Sequence, residues 1–564
     1  MRRRDSAFDY VIAGAGSAGC ALAVRLAEYE PDAQILLVEA GGSGRSLFTR
    51  MPAGNGILIG NPKFDWGFTS VPQTGMNGGH IYYPRGFGVG GSSLLNGMIY
   101  IRGNPADYDT WAEMGLANWS YANVLPYFKR SAGAPHRDGD PYHNSQGPMM
   151  LSPARNHIPI ADAFLQACQQ AGIPFNPDFN GTSQNGVGIL DAKSYSGVRQ
   201  SSAEAYLSQK PNNITVKTGT RVLGIEFEGN RASGLKLSSG FVRAKSEVLI
   251  CMGAFQSPHL LMLSGIGPAE HLRDHAIDVR VDLPGVGSRL FDHPNMPMQF
   301  DIKDKQMSMA RYQRIDRAVW LGLQYLWNQS GPGGGPFWSV VLFTALRNEA
   351  MPELETFFTP MIVKEEAAGG GWNLQTLMNP GKAIFARGKT ARPGFQLDVN
   401  LLRPKSHGTV RLASNDPMRL PLINPDYFSH PDDVKDLVAG VRRMREIVAQ
   451  PVMNGVVGGE LSPGINISND REIENAVRQL ATTGHHPVGT CAMGAENNPD
   501  AVLDSEFRVR GVEKLRVIDG SSMPTQVSGN VNAPIIMMAE KAADIIAGHA
   551  PLTPFDPRGA IDDD

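Results

Sequence analysis

The sequence predicts an α/β protein that opens with a parallel βαβ unit, and three observations carry that prediction. Residues 9–13 (Asp-Tyr-Val-Ile-Ala) are a short apolar run suited to a buried strand. Residues 16–28 follow as a helix with the small residues Gly16, Ala18, Gly19 and Ala21 on its early face. Residues 35–39 (Ile-Leu-Leu-Val-Glu) form a second apolar run. A strand, a helix and a strand in this order make a βαβ unit, whose crossover is right-handed and whose sheet is parallel.

The remaining elements follow in chain order. Residues 80–105 are glycine-rich and end in Met98-Ile99-Tyr100-Ile101-Arg102-Gly103. Residues 213–228 and 234–250 alternate apolar and polar positions around a Gly229-Asn230 turn, which predicts a strand on each side. Residues 246–267 run from a strand through Gly253 into an apolar helix from Ser257 to Ser264. Within 310–330, Trp320, Leu321, Leu323, Tyr325, Leu326 and Trp327 fall at helical spacing. This helix stops at Ser330-Gly331-Pro332, and its Trp320–Trp327 stripe is expected to serve as helix core. Residues 365–390, with Gly369-Gly370-Gly371, are expected to form a loop or lid. Residues 395–412 resume strand-like alternation. Residues 431–449 read as a helix with Asp432 and Asp433 early and Arg442, Arg443 and Arg445 late, as the helix dipole favours. There is no internal repeat, and the tail Asp562-Asp563-Asp564 is expected to be solvated.

Length and composition exclude several classes of function. At roughly 100–200 residues per domain, 564 residues make about three to four domain-sized units, too many for a small binding module. With 52 Lys+Arg against 55 Asp+Glu, the net charge of −3 argues against a nucleic-acid protein. Cys20, Cys168, Cys251 and Cys491 lie far apart, so neither a disulfide framework nor a structural zinc is expected, and no metal site is assigned. No run of about 18 apolar residues predicts an integral membrane segment, and the basic start Arg2-Arg3-Arg4 has no separate apolar signal region behind it. A cytoplasmic protein is the expectation. Glycine is in excess: 63 Gly and 40 Pro make up about 18% of the chain, against a usual total near 12%. Many glycines are therefore expected where backbone approaches something closely or turns.

Gly14-Ala15-Gly16-Ser17-Ala18-Gly19 matches G-x-G-x-x-G, placed between the first strand and the helix. Glu39, at the end of the second strand, lies 20 residues after Gly19, where a ribose-binding acid belongs. Gly14 permits the turn, Gly16 lets main-chain N–H groups reach a pyrophosphate, and Gly19 lets helix pack on strand. The helix N-terminus favours the phosphates. An acid at 39 disfavours a 2′-phosphate, and NAD and FAD both remain open on these residues.

Arg85-Gly86-Phe87-Gly88-Val89-Gly90-Gly91-Ser92-Ser93-Leu94-Leu95-Asn96-Gly97-Met98 resembles the first signature of the glucose–methanol–choline (GMC) flavoprotein oxidoreductases. The block Gly253-Ala254-Phe255-Gln256-Ser257-Pro258-His259, continuing to Gly267, resembles their second. Leu283-Pro284-Gly285-Val286-Gly287, Asp292-His293, His486-Pro487-Val488-Gly489-Thr490 and Gly529-Asn530-Val531-Asn532-Ala533-Pro534 extend the resemblance from residue 9 to about 545. The block pattern is similar to bacterial alcohol, choline and sorbose dehydrogenase-like members. The resemblance implies a Rossmann-like FAD-binding domain with a mixed α+β substrate-binding (cap) domain built on an antiparallel sheet. It places residues 1–160, 200–300 and 500–555 in the first domain and 161–199 and 301–499 in the second.

Carried over residue by residue, it implies that Gly14, Gly16, Ser17 and Gly19 hold the pyrophosphate and that Glu39 and Ala40 flank the adenosine ribose. Val222 meets adenine through its backbone. Gly91, Asn96, Gly97 and Met98 border the isoalloxazine, Asp519-Gly520 forms a second phosphate-side segment, and Asn532 contacts the flavin. Phe87 stands where relatives often carry Lys. Leu95 stands where some choline-oxidising relatives carry the His that attaches the flavin, so non-covalent FAD is implied.

The same resemblance makes His486 the catalytic histidine and Asn530 its partner. Alcohol oxidation removes a hydroxyl proton and a carbon-bound hydride. A histidine can take the proton, and an asparagine amide can donate to the substrate oxygen without competing for it. His485 has three placements open to it: facing away, lining the pocket or tuning His486. His259 and His293 are expected to be structural or close to the flavin.

The leading expectation is an FAD-dependent oxidation of a small-molecule alcohol to an aldehyde or ketone, with electrons passed to oxygen or a quinone-like acceptor. Gly484, two residues before His486, is small enough to be compatible with oxygen access. The alternatives are a flavin-containing lyase of the same fold, similar to hydroxynitrile lyases, and an NAD dehydrogenase. No G-x-S-x-G elbow supports a hydrolase. The cap region, roughly 300–480, is expected to line the pocket with Trp338, Phe343, Phe357, Phe358 and Met361, and the glycine tracts at 331–335 and 369–371 are expected to form loops around the entrance.

Overall fold

The computed structural model describes residues 6–154, 158–313, 315–363 and 391–560. The expectations for the loop at 365–390 with its glycine tract, for the basic start and for the acidic tail lie outside the described residues. Along the chain, β1 (Ser6–Ala13), α1 (Ser17–Tyr29) and β2 (Ile35–Val38) form the opening βαβ unit. They are followed by β3 (Gly186–Ile189), β4 (Ile214–Lys217), β5 (Val222–Glu228), β6 (Arg231–Leu237), β7 (Gly240–Ile250) and α2 (Gly253–Leu263). Then come β8 (Pro294–Ile302), α3 (Ile315–Asn328), β9 (Val340–Thr344), β10 (Leu354–Thr359), β11 (Phe395–Leu401), α4 (Pro431–Val448) and β12 (Val457–Ser462). The chain ends through β13 (Thr482–Thr483), β14 (Leu515–Val517) and α5 (Asn532–Ala547).

These elements build two sheets. The first has the order β4-β2-β1-β7-β6-β5, with β14 also on β7. The pairs from β4 to β7 and the β7–β14 pair are parallel, while β7–β6 and β6–β5 are antiparallel. Residues 213–228 thus hold two strands rather than one, β4 inside the sheet and β5 at its edge. The stretch 234–250 is likewise a hairpin, because the chain reverses at Ser238-Ser239 between Leu237 and Gly240. The second sheet is antiparallel throughout, in the order β12-β8-β11-β10-β9-β3 with β13 on β8. This is a Rossmann-like parallel domain joined to an α+β domain on an antiparallel sheet.

Strand alternation gives the second sheet two unlike faces. Leu354, Phe358, Leu397, Val399 and Leu401 join Leu437, Val441 and Met444 of α4 in one apolar core. The register sets Asn295 opposite Asn400, and Asn400 opposite Glu355. It sets Phe357 opposite Asp398 and Thr359 opposite Gln396, so these side chains share the other face. Phe343 and Phe358 are fully buried within clusters and do not reach the cavity described below, whereas Trp338, Phe357 and Met361 do. For Phe358 the expectation is corrected by strand parity, since neighbouring residues on a strand point to opposite faces; Phe343 shares the face of Phe357 but is packed with Phe179 and Val341 and does not line the cavity.

Helix α2 begins at Gly253, one turn earlier than expected, and carries Pro258 inside it. Helix α3 corrects a second expectation. Tyr325 is buried, but Val319, Trp320, Leu323, Leu326 and Trp327 are exposed, Trp327 at 89%. The helix is a single layer, with Ala318, Leu321, Gly322 and Tyr325 against the cavity and solvent on its other side. The stripe is therefore not core. Gly331–Gly334 forms a short 3-10 turn; Gly333 packs against Met51, Leu321 and Tyr325.

Close backbone contact holds the opening unit together. A methyl group at Gly19 would stand 2.0 Å from the Gly14 carbonyl oxygen. Gly19→Ala is expected to lower the unfolding free energy by about 1–3 kcal/mol or more through overpacking. Urea unfolding checks this, and a variant as stable as the parent would contradict the contact.

Candidate active site

One cavity of about 980 Å³ runs between the two sheets. Of the site residues read from the sequence, Gly14, Gly16, Ser17, Glu39, Ala40, Gly91, Asn96, Gly97, Met98, Val222, His486, Asp519, Gly520, Asn530 and Asn532 all line it. Gly19 does not; it lies behind, packing α1 on the strand end. Gly91 has φ +53°, and a Cβ there would meet the Gly16 Cα at 2.6 Å, so the two glycine-rich segments touch through bare backbone. Glu39 is buried and accepts from the main-chain N–H groups of Ala15 (3.1 Å) and Gly41 (2.8 Å). Burial raises its pKa against those two hydrogen bonds.

The residues fit a dinucleotide. Neither α1 nor α5 has a side-chain N-cap or an acid in its first turn, so their first N–H groups remain available. Ser17 at the start of α1 accepts from Asn532 Nδ2 of α5 at 2.7 Å, which brings the two bare N-termini together at the cavity wall. Two helix dipoles converging on one spot favour a negatively charged group there. Asp519 is spent on structure: it accepts from Gly253 N (2.7 Å), Ser257 Oγ (2.6 Å) and Ser521 N (2.8 Å), tying the start of α2 to the 519–522 turn.

At the other end of the cavity, His486 Nε2 meets Asn530 Nδ2 at 2.9 Å and His486 Nδ1 meets His293 Nδ1 at 3.0 Å. With the amide of Asn530 donating, Nε2 of His486 is the acceptor and Nδ1 carries the proton, which it donates to His293. The proton of His293 then lies on Nε2, which lacks a partner at hydrogen-bond distance and faces the main chain of Leu402 and Val527. Asp292 aligns the row. One carboxylate oxygen accepts from the main-chain N–H groups of His486 (2.7 Å) and His293 (2.9 Å). The other accepts from Tyr427 Oη (2.6 Å) and Thr483 Oγ1 (2.5 Å).

Burial holds His486 well below the ordinary imidazole range, helped by the positive charges of Arg85 and Lys193. Burial also pushes His293 down to about 3. Both are neutral at physiological pH, as a proton acceptor must be. His485 takes the second of its three placements: it lines the cavity, and its carbonyl accepts from Arg85 at 3.0 Å. Gly484 sits against the sheet floor, where a Cβ would meet Asn400 Oδ1 at 2.7 Å.

Several residues that shape the site were not found in the sequence. Arg199 is buried and donates to Asn96 O (2.6 Å) and to Pro52 O (3.1 Å), fixing the Asn96-Gly97 loop. Lys193 lines the cavity and donates to Asn532 Oδ1. Asp398, on the polar sheet face, accepts from Thr359 Oγ1 (2.8 Å) and Gln396 Nε2 (2.7 Å). The one legible signal was Asp292, beside His293 in a quoted motif; the others have only burial to mark them. Elsewhere, Asp140, His143 and Asp178 are close enough to share a cation. Arg102 and Arg137 already supply positive charge there. Among the described residues, no helix is long and apolar enough to cross a membrane.

Two family models described as GMC oxidoreductase match residues 8–295 and 404–539. The chain is 40% identical to oxygen-dependent choline dehydrogenase 1 of Chromohalobacter salexigens, over 97% of this chain and 96% of that protein. It is 39% identical to the mitochondrial choline dehydrogenase of Mus musculus, over 97% and 90%. Among solved structures, pyridoxine 4-oxidase from Mesorbium loti superposes with a TM-score of 0.83 at 28% identity, covering 96% of this chain and all of that one. A variant of Aspergillus oryzae formate oxidase superposes with a TM-score of 0.85 at 27% identity, covering 97% and 99%.

The buried imidazoles give stability a pH signature. Burial alone lowers His259 to about 4, and its Nε2 has no partner. Between its ordinary pKa of 6.5 and about 4, the unfolded chain binds a proton that the folded protein refuses. Stability therefore falls as pH drops through that window, by about 1.4 kcal/mol per pH unit for this one group. His259→Leu should gain on the parent by that slope from pH 6.5 to 4.5 in denaturant unfolding. A pH-independent difference would contradict the neutral buried state.

Proposed function

The chain belongs to the GMC oxidoreductase family, and we propose that it oxidises a small alcohol to an aldehyde or ketone with His486 as the base and Asn530 as its partner. It is an FAD-dependent alcohol oxidoreductase of that family. The observation that carries the assignment of the base is the 2.9 Å contact between His486 Nε2 and Asn530 Nδ2 at the cavity wall.

The substrate hydroxyl enters between these two groups. Asn530 Nδ2 turns its donor from His486 to the substrate oxygen, which frees the Nε2 lone pair. His486 takes the hydroxyl proton there, and its Nδ1–H stays on His293, so the imidazolium that forms has both nitrogens engaged. The neighbouring cations keep that imidazolium acidic, which favours release of the proton in the next half-reaction. When bound, FAD supplies the acceptor for the hydride that leaves the carbon. Gly16, Ser17 and the start of α1 would hold its pyrophosphate, Glu39 and Val222 its adenosine end, and Asn96 to Met98 with Asn532 its ring end. Leu95 lines the cavity and carries no nucleophile, which supports non-covalent binding. The cofactor domain of this reading is 1–160, 200–300 and 500–555 and the substrate domain 161–199 and 301–499; the pairing of β8 into the second sheet supports moving one boundary back to 294.

Choline is the alcohol in the names of the relatives. The Asp398 carboxylate and the Phe357 ring, opposite one another in register, and Trp338 offer the anionic and aromatic surfaces that a quaternary ammonium group uses. Choline therefore heads a panel of primary and secondary alcohols to be mixed anaerobically with the holoenzyme. Flavin bleaching by at least one of them is expected, and bleaching by none would overturn the alcohol reading in favour of non-redox chemistry on this fold. Readmitting oxygen, or adding a quinone instead, identifies the acceptor. His486→Ala should slow flavin reduction by about 10²–10⁴-fold, and a normal rate would remove His486 from the role of base.

A further inference from the structure

Among the described residues, nothing answers the charge of Lys193. It is 2% exposed, on a stretch whose main chain is fixed by Lys193 N donating to Met98 O at 2.7 Å. Its ammonium donates to the neutral Asn532 Oδ1, and the charged side chain that acts on it, Arg199, has the same sign. Among the described residues no carboxylate forms an ion pair with it. A buried ammonium in this state carries an uncompensated desolvation cost, and an anion placed beside it in the cavity offsets that cost. The uncapped start of α5 points its N–H groups to the same place, so two independent features call for negative charge there.

The position narrows the choice of anion. Lys193 stands among Met98, Asn532 and the His486 end of the cavity, and its charge is felt at His486. We propose that Lys193 is the counter-charge for the negative charge that a hydride brings to bound FAD, so that it sets the flavin's reduction potential. This rests on the FAD reading above. The balance is simple: the alcohol loses a hydride and a proton, the proton goes to His486, and the hydride adds one negative charge to the flavin beside Lys193.

The test needs no turnover. Holoprotein with K193Q, which keeps a hydrogen-bonding side chain without the charge, is compared with K193R, K193M and the parent. Two readouts are taken: the midpoint potential and the affinity for sulfite, which adds to the flavin and leaves the same negative charge. K193Q and K193M are expected to bind sulfite at least about tenfold more weakly and to show a potential lower by about 30 mV or more, the two-electron equivalent of tenfold. K193R is expected to stay within about threefold of the parent. Unchanged affinity and potential in K193Q or K193M would overturn the proposal. So would loss of FAD from both variants while K193R retains it, since that is the mark of a phosphate ligand. A parent protein that carries no flavin would overturn the reading on which the proposal rests.

Discussion

Everything at the catalytic end of the cavity hangs on the carboxylate of Asp292. It has four donors, two from the backbone of His293 and His486 and two from Tyr427 and Thr483 on separate segments. An isolated buried carboxylate is costly, and charge-assisted hydrogen bonds of this kind offset the cost only when all of them form together. That condition is what fixes the geometry. The start of β8, the 483–486 turn and the Tyr427 loop cannot drift independently, because any one leaving would strand a charge in the interior. His293 and His486 are brought face to face as a by-product of satisfying Asp292.

Electrostatics then prepares the site in two opposite ways. His486 and His293 are kept neutral by burial, and His486 also by neighbouring cations, so the proposed base arrives without a proton. A few residues away, bare helix N-termini and buried Lys and Arg side chains leave the cofactor half short of negative charge. An anionic dinucleotide bound there relieves the second condition and weakens the first, since its phosphates raise nearby histidines. Distance between the two ends of the cavity keeps the base usable while the cofactor half is neutralised. The polar sheet face, with Asn295, Asp398 and Asn400, separates this chemistry from the apolar core under α4.

The features legible in the sequence share one property: they are set by spacing along the chain. The βαβ unit, the Gly14–Gly19 turn and Glu39 obey a local geometry that the order of residues reveals. His486 and Asn530 were legible only through family motifs, because nothing local brings residues 44 positions apart into contact. Lys193 and Arg199 were not legible at all, since an isolated basic residue looks the same whether solvent or a cavity receives it. Register explains the mixed result at the pocket wall. Phe357 and Phe358 are adjacent and equally apolar, and only the pairing of β10 with β11 decides which of them faces the cavity. Helix α3 failed for a related reason: periodicity shows that a helix has apolar sides without showing how many layers cover them.

The order of strands in the first sheet has a consequence for how the protein is made. Its central pair joins β1 to β7, some 235 residues apart, and β7 in turn waits for β14 near residue 515. The antiparallel sheet has its last strand complete by Thr483. A ribosome adding roughly 5–20 residues per second therefore releases every strand of the cap before the sheet that carries the nucleotide fingerprint can close. For roughly half a minute to two minutes of synthesis, the glycine-rich turn exists as sequence without a site. Asn530, in the turn before α5, and Asn532, at its start, emerge after all of these strands, so they join the cavity only once both sheets have been synthesised.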